Sequence, residues 1–478
     1  MSDYQLIVIG AGPGGYVTAI RAAQLGRKVA IVEKDKIGGT CLNRGCIPTK
    51  ALLHSANTYA GRNQFETLGL SYADIRYDMG KIHARKAQVV ETLISGVSGL
   101  LKANKIDVLS GAAQITAPGK VVVDGKEYTC EDIVIATGSY PARPPIPGLD
   151  LPGVVTSNEV LEGESVDYKS LIIIGGGVIG VELASFYAAL GCKVTIVEAL
   201  DRLLSTLDKE FGQSIAMLLK KRGVQVFCSS MVSSIEQTHD GLVCNFTRKE
   251  QQEQVVAEGI LVSIGRRPNT EGLFAENCTP ELNRGFVVVD ENYQSTIPHI
   301  YAIGDVIGGV QLAHKAEAEG QAVAAIICGE EPHCDPSLVP SCIYTEPEIA
   351  SVGITADEAK AKGIAVKTGK YLMSGNGKSI IDLQERGFIK VVADAETDRL
   401  LGIQMMCGRA TDLISEFTMA IANGMTRAQL LKGMRPHPTY CEGITEALEA
   451  VDGMSIHSAP ARKGWDSLQT LRNRERSR

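Results

Sequence analysis

Uninterrupted apolar runs, each closed by a glycine-rich turn, punctuate the first part of the chain and predict buried strands. The first is Tyr4 to Ile9, followed by Gly10-Ala11-Gly12-Pro13-Gly14-Gly15. A helical run from Tyr16 to Leu25 comes next, then a second strand, Lys28 to Val32, that ends in Glu33. Strands covered on both faces lose the polar alternation of a half-solvated sheet, so continuous Val/Ile/Leu runs suit a parallel sheet. The same pattern returns at Leu171 to Ile174, with Gly175-Gly176-Gly177-Val178-Ile179-Gly180, a helix to Leu190, and Lys193 to Val197 ending in Glu198. First glycine and closing acid stand at 10 and 33 in one unit and at 175 and 198 in the other, the same interval.

A strand, a glycine turn, a helix and an acid in this order predict a dinucleotide site. Gly10 and Gly12 allow the tight turn and the approach of a pyrophosphate, Gly15 lets helix and strand pack, and the helix N-terminus stabilises phosphate. Gly175, Gly177, Ile179 and Gly180 repeat the turn in the second unit, and Glu33 and Glu198 are placed to accept from ribose hydroxyls. Two such units predict two dinucleotides, one handing electrons to the other. A carboxylate at Glu198 suits a free 2′-hydroxyl and repels a 2′-phosphate, which favours NAD over NADP. Arg202, four residues on, is the one nearby charge that offers a phosphate a partner.

Between the units, Met79 to Ala103 is apolar at Val89, Val90, Leu93, Ile94 and Val97 and predicts a helix. Strands are expected at 107–109, 120–123 and 133–139, and the run Pro141 to Pro147 reads as a stiff linker. After a strand at 259–264 and the turn at Gly265, the chain returns to the first domain through Ile300 to Asp305, whose acid reads by itself as a plain turn aspartate. Beyond about residue 338 there is no further glycine fingerprint. Strands are expected at 343–344, 349–352, 387–392 and 401–406, and helices at 355–362, 410–423 and 427–431, an α+β domain. It contains Arg435-Pro436-His437-Pro438-Thr439-Tyr440-Cys441-Glu442, where prolines pin the backbone about His437 and Glu442 is near enough to orient the imidazole. Such a pair suits acid–base chemistry, although a lone histidine is more often structural.

With 478 residues, 44% apolar and 22% charged, the chain has ample core for several domains, and a net charge of −7 argues against nucleic acid as a partner. The apolar run Leu171 to Val181 is cut by Glu182 and is too short to span a bilayer. The N-terminus, Met1-Ser2-Asp3-Tyr4, lacks a basic leader, so a cytoplasmic location is expected. The 12 cysteines are scattered without zinc spacing, and no metal site is expected. Two stand apart: Cys41 and Cys46, in Gly38-Gly39-Thr40-Cys41-Leu42-Asn43-Arg44-Gly45-Cys46-Ile47-Pro48-Thr49-Lys50. Residues five apart do not share a helical face, so the two sulfurs meet only if the backbone between them is irregular, which Asn43 and Gly45 permit. A disulfide there closes too short a loop to stabilise much and suits one that is made and broken in turnover. Two buried thiols, or half of a metal site, are the other readings of this pair.

Taken together, these residues resemble the pyridine nucleotide-disulfide oxidoreductases, and within them the branch that oxidises dihydrolipoamide. The resemblance runs from Leu6 to about Ala450. It rests on the two glycine turns, Cys41 to Cys46 with Lys50, Ala136-Thr137-Gly138-Ser139, Gly304-Asp305, Gln311-Leu312-Ala313-His314-Lys315-Ala316, Tyr344 to Glu348, and His437-Pro438-Thr439 with Glu442. It implies an α/β fold of two Rossmann-like dinucleotide-binding domains and a C-terminal α+β dimerisation domain. The implied boundaries are 1–147 for the first part of the FAD domain, 148–270 for the NAD domain, 271–338 for the second, central part of the FAD domain, and 339–478 for the dimerisation domain with a basic tail. It implies a redox disulfide of Cys41 and Cys46, Cys41 the outer sulfur, and Lys50 near the flavin and paired with Glu182. Asp305 becomes a ligand of the flavin's ribityl chain, with Gly39, Thr40, Ala113, Thr137, Gly138, Ser139, Leu312, Ala313 and His314 as further FAD contacts. Val232 and Gly265 join the second turn at NAD. His437 and Glu442 become a catalytic dyad serving the partner of a homodimer. The implied partner is a lipoyl-bearing protein of a 2-oxo acid dehydrogenase complex or the glycine cleavage system; another flavin disulfide reductase, using NADPH, is the alternative. Glu198 speaks against glutathione and trypanothione reductases, the lack of a cysteine pair after Cys441 against mercuric reductase, and Cys41 against a soluble transhydrogenase. Arg435, where the family often has a second histidine, the segment Leu372 to Lys378 and the long basic tail depart from the pattern.

Overall fold

The computed structural model describes residues 2–163, 166–384 and 386–459. The expected basic tail lies outside them. The chain forms two compact units, one of residues up to 62 with 72–199 and 230–337, the other of 63–71, 200–229 and 338 onwards.

In the first unit the opening apolar run forms the strand Leu6–Ile9 at the centre of a five-stranded parallel sheet, ordered 300–302, 132–135, 6–9, 29–33, 107–110. Its register sets Leu6 against Val29 and Asp132, and Ile9 against Val32 and Ile135. Leu6, Ile7 and Val8 are fully buried, as expected of a strand covered on both faces. The helix Pro13–Gln24 packs on the helix Ala313–Cys328 through small residues: a Cβ on Gly320 would lie 2.7 Å from the Gly14 carbonyl oxygen. The second apolar run, Ser170–Ile174, is likewise central in a parallel sheet, flanked by Lys193–Val197 and Gly259–Val262, with Val154–Thr156 beyond. Each sheet carries a three-stranded antiparallel meander, 113–129 on the first and 230–257 on the second.

The second unit is built on an antiparallel sheet ordered 341–343, 348–353, 400–407, 388–394, 366–372. The helices Ala410–Ala422 and Glu442–Ala450 bury Ile414, Phe417, Ile444 and Ala447 with the sheet residues Ile389, Ile403 and Met405.

Several elements differ from the sequence expectation. The sequence pattern predicts a helix from Ala51 to Ala60, whereas the helix starts at Cys46, with Pro48 tolerated in its first turn, where a missing N–H costs little. The Pro-rich run starts from a short strand, Ser139–Pro141, that pairs antiparallel with Arg266–Pro268. The helix 313–328 has no separable apolar stripe because it is buried on several sides by Ala and Gly, which hides its period.

Candidate active site

The cysteine pair sits where two helices meet end to end. Gly39–Arg44 stops at Gly45, whose backbone (φ −141°, ψ −115°) is neither helical nor extended, and Cys46–Ala60 begins at the next residue. A side chain at position 45 would lie 2.9 Å from the Thr40 carbonyl oxygen, so the break depends on glycine. Cys46 becomes the first residue of a 15-residue helix, where unpaired N–H groups favour a thiolate. One turn on, Lys50 Nζ meets Glu182 Oε2 at 2.8 Å and Oε1 at 3.1 Å. Glu182 belongs to the helix of the second glycine unit, Val178–Ala189, and is buried.

As thiols, Cys41 and Cys46 are hydrogen-bonded to each other. The Cys41 S–H donates to Cys46 and, with the Lys50 charge, holds the Cys46 thiol down at about 7 against the opposing effect of burial. Cys41 is driven strongly up by that same hydrogen bond, by burial, and by the charges of Cys46 and Glu317. The surroundings thus favour the proton on Cys41 and the negative charge on Cys46. Glu317 and Tyr16 stand beside Cys41 and bond to each other; burial raises both, Tyr16 to about 12. Sequence reading missed them because neither belongs to a motif that marks a thiol site.

The two glycine turns are near copies. A Cβ on Gly15 would lie 1.8 Å from the Gly10 carbonyl oxygen, and one on Gly180 2.1 Å from that of Gly175. Gly10 and Gly175 have φ of +102° and +108°, and each presses on the end of the neighbouring strand, at Ala136 and Ser263. Glu33 accepts from Ala11 N at 2.7 Å, and Glu198 accepts from the equivalent Gly176 N. The acids therefore also brace the turns, while each carboxylate keeps further lone pairs for a ribose. Gly12 and Gly177 are different: a Cβ there meets no atom within 4 Å except Gly39 Cα at 3.9 Å from Gly12. Nothing in the protein requires glycine at these two positions, whereas an approaching pyrophosphate does, and the cradle fits FAD in the first turn and NAD in the second. Gly15→Ala is accordingly expected to destabilise the fold by about 3 kcal/mol or more, seen as a lowered melting temperature without added cofactor. Gly12→Ala is expected to melt normally and to lose affinity for FAD.

Around the first turn the structure gathers most of the remaining expected contacts. Thr137 Oγ1 donates to the Asn269 carbonyl at 2.7 Å, and Gly138 and Gly265, both at positive φ, face open space. Ser139 Oγ donates to Asp305, and Arg266 donates to Ser139 through Nε at 2.7 Å and Nη2 at 2.6 Å, standing 3.7 Å from Asp305. Leu312 caps the helix that Ala313 and His314 begin. One turn further, the buried Glu319 accepts from Gly304 N at 2.7 Å and from Lys315, fixing the turn that carries Asp305. Thr40 lies on the helix before Cys41, Ala113 opens a meander strand, and Val232 is buried in the other meander. Arg266 and Glu319 were not legible as site residues, because an isolated charge carries no spacing signal.

His437 and Glu442 belong to the second unit. Their Nδ1–Oε1 distance is 2.8 Å, and Thr439 N donates to Glu442 Oε2 at 2.8 Å, so both carboxylate oxygens are engaged and the ring orientation is set. Burial opposes ionisation of Glu442, but the Thr439 N–H and the imidazole together hold its carboxyl below the usual range. The departing segment braces this turn: Asn376 Nδ2 donates to the Thr439 carbonyl at 2.9 Å. Arg435 is turned into the unit, bonded to Thr445 Oγ1 at 3.0 Å and Glu416 at 2.5 Å.

A sequence model described as pyridine nucleotide-disulphide oxidoreductase matches residues 4–320, and its dimerisation-domain counterpart matches 339–448. A dihydrolipoyl dehydrogenase of Bacillus subtilis is 43% identical over 474 residues, covering 95% of this chain and 99% of its own. One from Thermus scotoductus is 42% identical over 461 residues, covering 96% and 99%. Among solved structures, the HOCl-induced flavoprotein disulfide reductase RclA of Escherichia coli superposes with a TM-score of 0.83 at 30% identity, covering 93% and 99%. LpdA of Mycobacterium tuberculosis does so with 0.85 at 26% identity, covering 93% and 99%. Among the described residues, no helix is long and apolar enough to cross a membrane.

Proposed function

Because the chain belongs to the pyridine nucleotide-disulphide oxidoreductase family, we propose that it oxidises dihydrolipoamide to lipoamide and reduces NAD+ to NADH. The observation that carries this reading is the unequal setting of the cysteine pair, with Cys46 opening a helix beside the Lys50–Glu182 pair, which favours its thiolate, and Cys41 in surroundings that favour its proton. In the oxidised protein the two sulfurs form a disulfide. A substrate thiolate attacks Cys41, and Cys46 leaves as the thiolate that its surroundings stabilise. The second substrate thiolate then attacks the mixed disulfide and displaces Cys41, so that the S–S bond of lipoamide forms and Cys41 and Cys46 are left reduced.

His437 serves the cysteine pair of the partner subunit in a homodimer. It accepts the protons of the substrate thiols in turn, since only thiolates attack well, while Glu442 fixes its tautomer and stabilises the imidazolium. The residues around Gly10 to Gly15, Glu33, Ser139 and Asp305 would hold FAD, and Gly175 to Gly180 with Glu198 would hold NAD. Bound there, the flavin supplies the two-electron chemistry between dithiol and nicotinamide. The domain boundaries follow the same assignment, with 1–147 and 271–338 as the FAD domain, 148–270 as the NAD domain and 339–478 as the dimerisation domain. The natural substrate is dihydrolipoamide on a lipoyl-bearing protein, of a 2-oxo acid dehydrogenase complex or the glycine cleavage system, met in the cytoplasm.

The test is steady-state reduction of NAD+ and NADP+ by dihydrolipoamide with the FAD-loaded protein. NADH should form with NAD+ favoured by more than about tenfold, because Glu198 repels a 2′-phosphate. Turnover only with NADPH and a different disulfide would overturn the reading.

A further inference from the structure

The helix Glu442–Ala450 carries three carboxylates, Glu442, Glu446 and Glu449, at spacings of four and three residues, which places them along one face. Glu442 holds His437. Glu446 holds a second imidazole: its Oε1 lies 2.6 Å from His457 Nδ1, and its Oε2 accepts from His457 N at 3.0 Å and Ser455 Oγ at 2.6 Å. Ser455 Oγ and Ser458 Oγ are 2.9 Å apart, so the segment 455–458 is folded back onto the helix. The two pairs are built alike. In each, a carboxylate takes Nδ1 and a backbone N–H, and the histidine side chain is mostly exposed, 78% at His437 and 67% at His457.

The charged and titratable groups around the two pairs have defined partners or positions. Arg435 is bound to Glu416 and Thr445, and Arg427 to Asp398, Asp452 and the Leu448 carbonyl. Tyr371 faces the helix from the strand 366–372, and burial, Glu446 and Glu442 together raise it to about 12, so it stays neutral. Glu449 has a buried Oε2 without a hydrogen-bond partner among the described residues, and burial with the charge of Glu446 favours its protonated form. His457 and Glu442 act on each other electrostatically, and Glu446 stands one helical turn from Glu442. Glu446 raises the basicity of His457 through the hydrogen bond and its charge.

We propose that His457 and Glu446 are a positioning pair for the His437–Glu442 dyad: by keeping the charge one turn along the helix near zero, they set the proton affinity of the catalytic imidazole. This inference rests on the reading of His437 as the base. His457→Asn leaves the Glu446 carboxylate uncompensated, which stabilises imidazolium at position 437. Glu446→Gln removes the negative charge and leaves an imidazole free to carry a positive one.

The measurement is the pH profile of kcat/KM for dihydrolipoamide with NAD+, on the full-length FAD-loaded protein. The rising limb should move up by roughly half a pH unit in His457→Asn, about a threefold loss of rate below the midpoint. In Glu446→Gln it should move down. Opposite responses from the two members of one pair are a signature that shared structural damage does not give. Limbs that coincide with the parent's in both variants, or that move in the same direction, would overturn the inference. His437→Asn run alongside separates the two readings: if it keeps the parent's rate and profile, it is the base assignment that fails.

Discussion

Cys46→Ser is expected to abolish dihydrolipoamide oxidation, lowering kcat by about ten-thousand-fold or more. A serine hydroxyl forms no disulfide with Cys41, so the substrate thiolate finds no sulfur–sulfur bond to attack, and no repositioning of neighbours restores one. The protein should remain folded and keep its cofactor, because the helix start at position 46 depends on Gly45 and the Lys50–Glu182 pair rather than on sulfur. The partner experiment reads the electrostatics directly. In the reduced parent, thiolate absorbance should titrate with a midpoint near pH 7, contributed by Cys46, while Cys41 keeps its proton far above that pH. Cys41→Ala removes the S–H donor that contributes most to holding Cys46 down, and burial then works against the charge with only Lys50 and a backbone N–H to offset it. The midpoint should therefore rise toward and past the ordinary thiol value. A midpoint that stayed near 7 would assign the stabilisation to the helix terminus and Lys50 instead.

The parts of this site that sequence made legible are those whose chemistry is local in the chain. The glycine turns announce themselves because a backbone contact such as Gly15 on Gly10 involves residues five apart, and the closing acid recurs at a fixed interval. The break at Gly45 is legible for the same reason. The helix Met79–Ala103 is found where its apolar period places it, since it keeps one solvated face. By contrast, the helix 313–328 is hidden because close packing on Gly14 and Thr18 calls for small residues on more than one side. The meander 230–257 is hidden because its strands alternate weakly, with exposed Met231 and buried Val232 side by side in an otherwise polar stretch. Site residues follow the same division. Lys50 and Glu182 stand 132 residues apart, and their pairing was expected only from the resemblance to a family. Arg266, Glu317, Glu319 and His457 each act through a partner far along the chain or through a turn with no repeat, so only the folded arrangement reveals them.

His437→Asn is expected to lower kcat/KM for dihydrolipoamide by about a thousandfold, the middle of the range for loss of a positioned general base. Asparagine keeps a polar group on the same turn but accepts no proton at neutral pH. The rate of the variant should rise with pH toward that of the parent, as the substrate's own thiols ionise without help. Glu442→Gln tests the other half of the pair, with a smaller loss of roughly tenfold, because the imidazole that takes the proton is retained and only the group that orients it is changed. What Glu442 contributes beyond charge is orientation: its second oxygen is tied to Thr439 N, so the ring it holds has one setting relative to the backbone. A glutamine retains an oxygen for one of these bonds only, so the turn should loosen while the protein's melting temperature hardly changes. If the two substitutions lowered the rate equally, the orientation of the ring would matter more than its proton, and His437 would be a binding residue for the lipoyl group rather than its base.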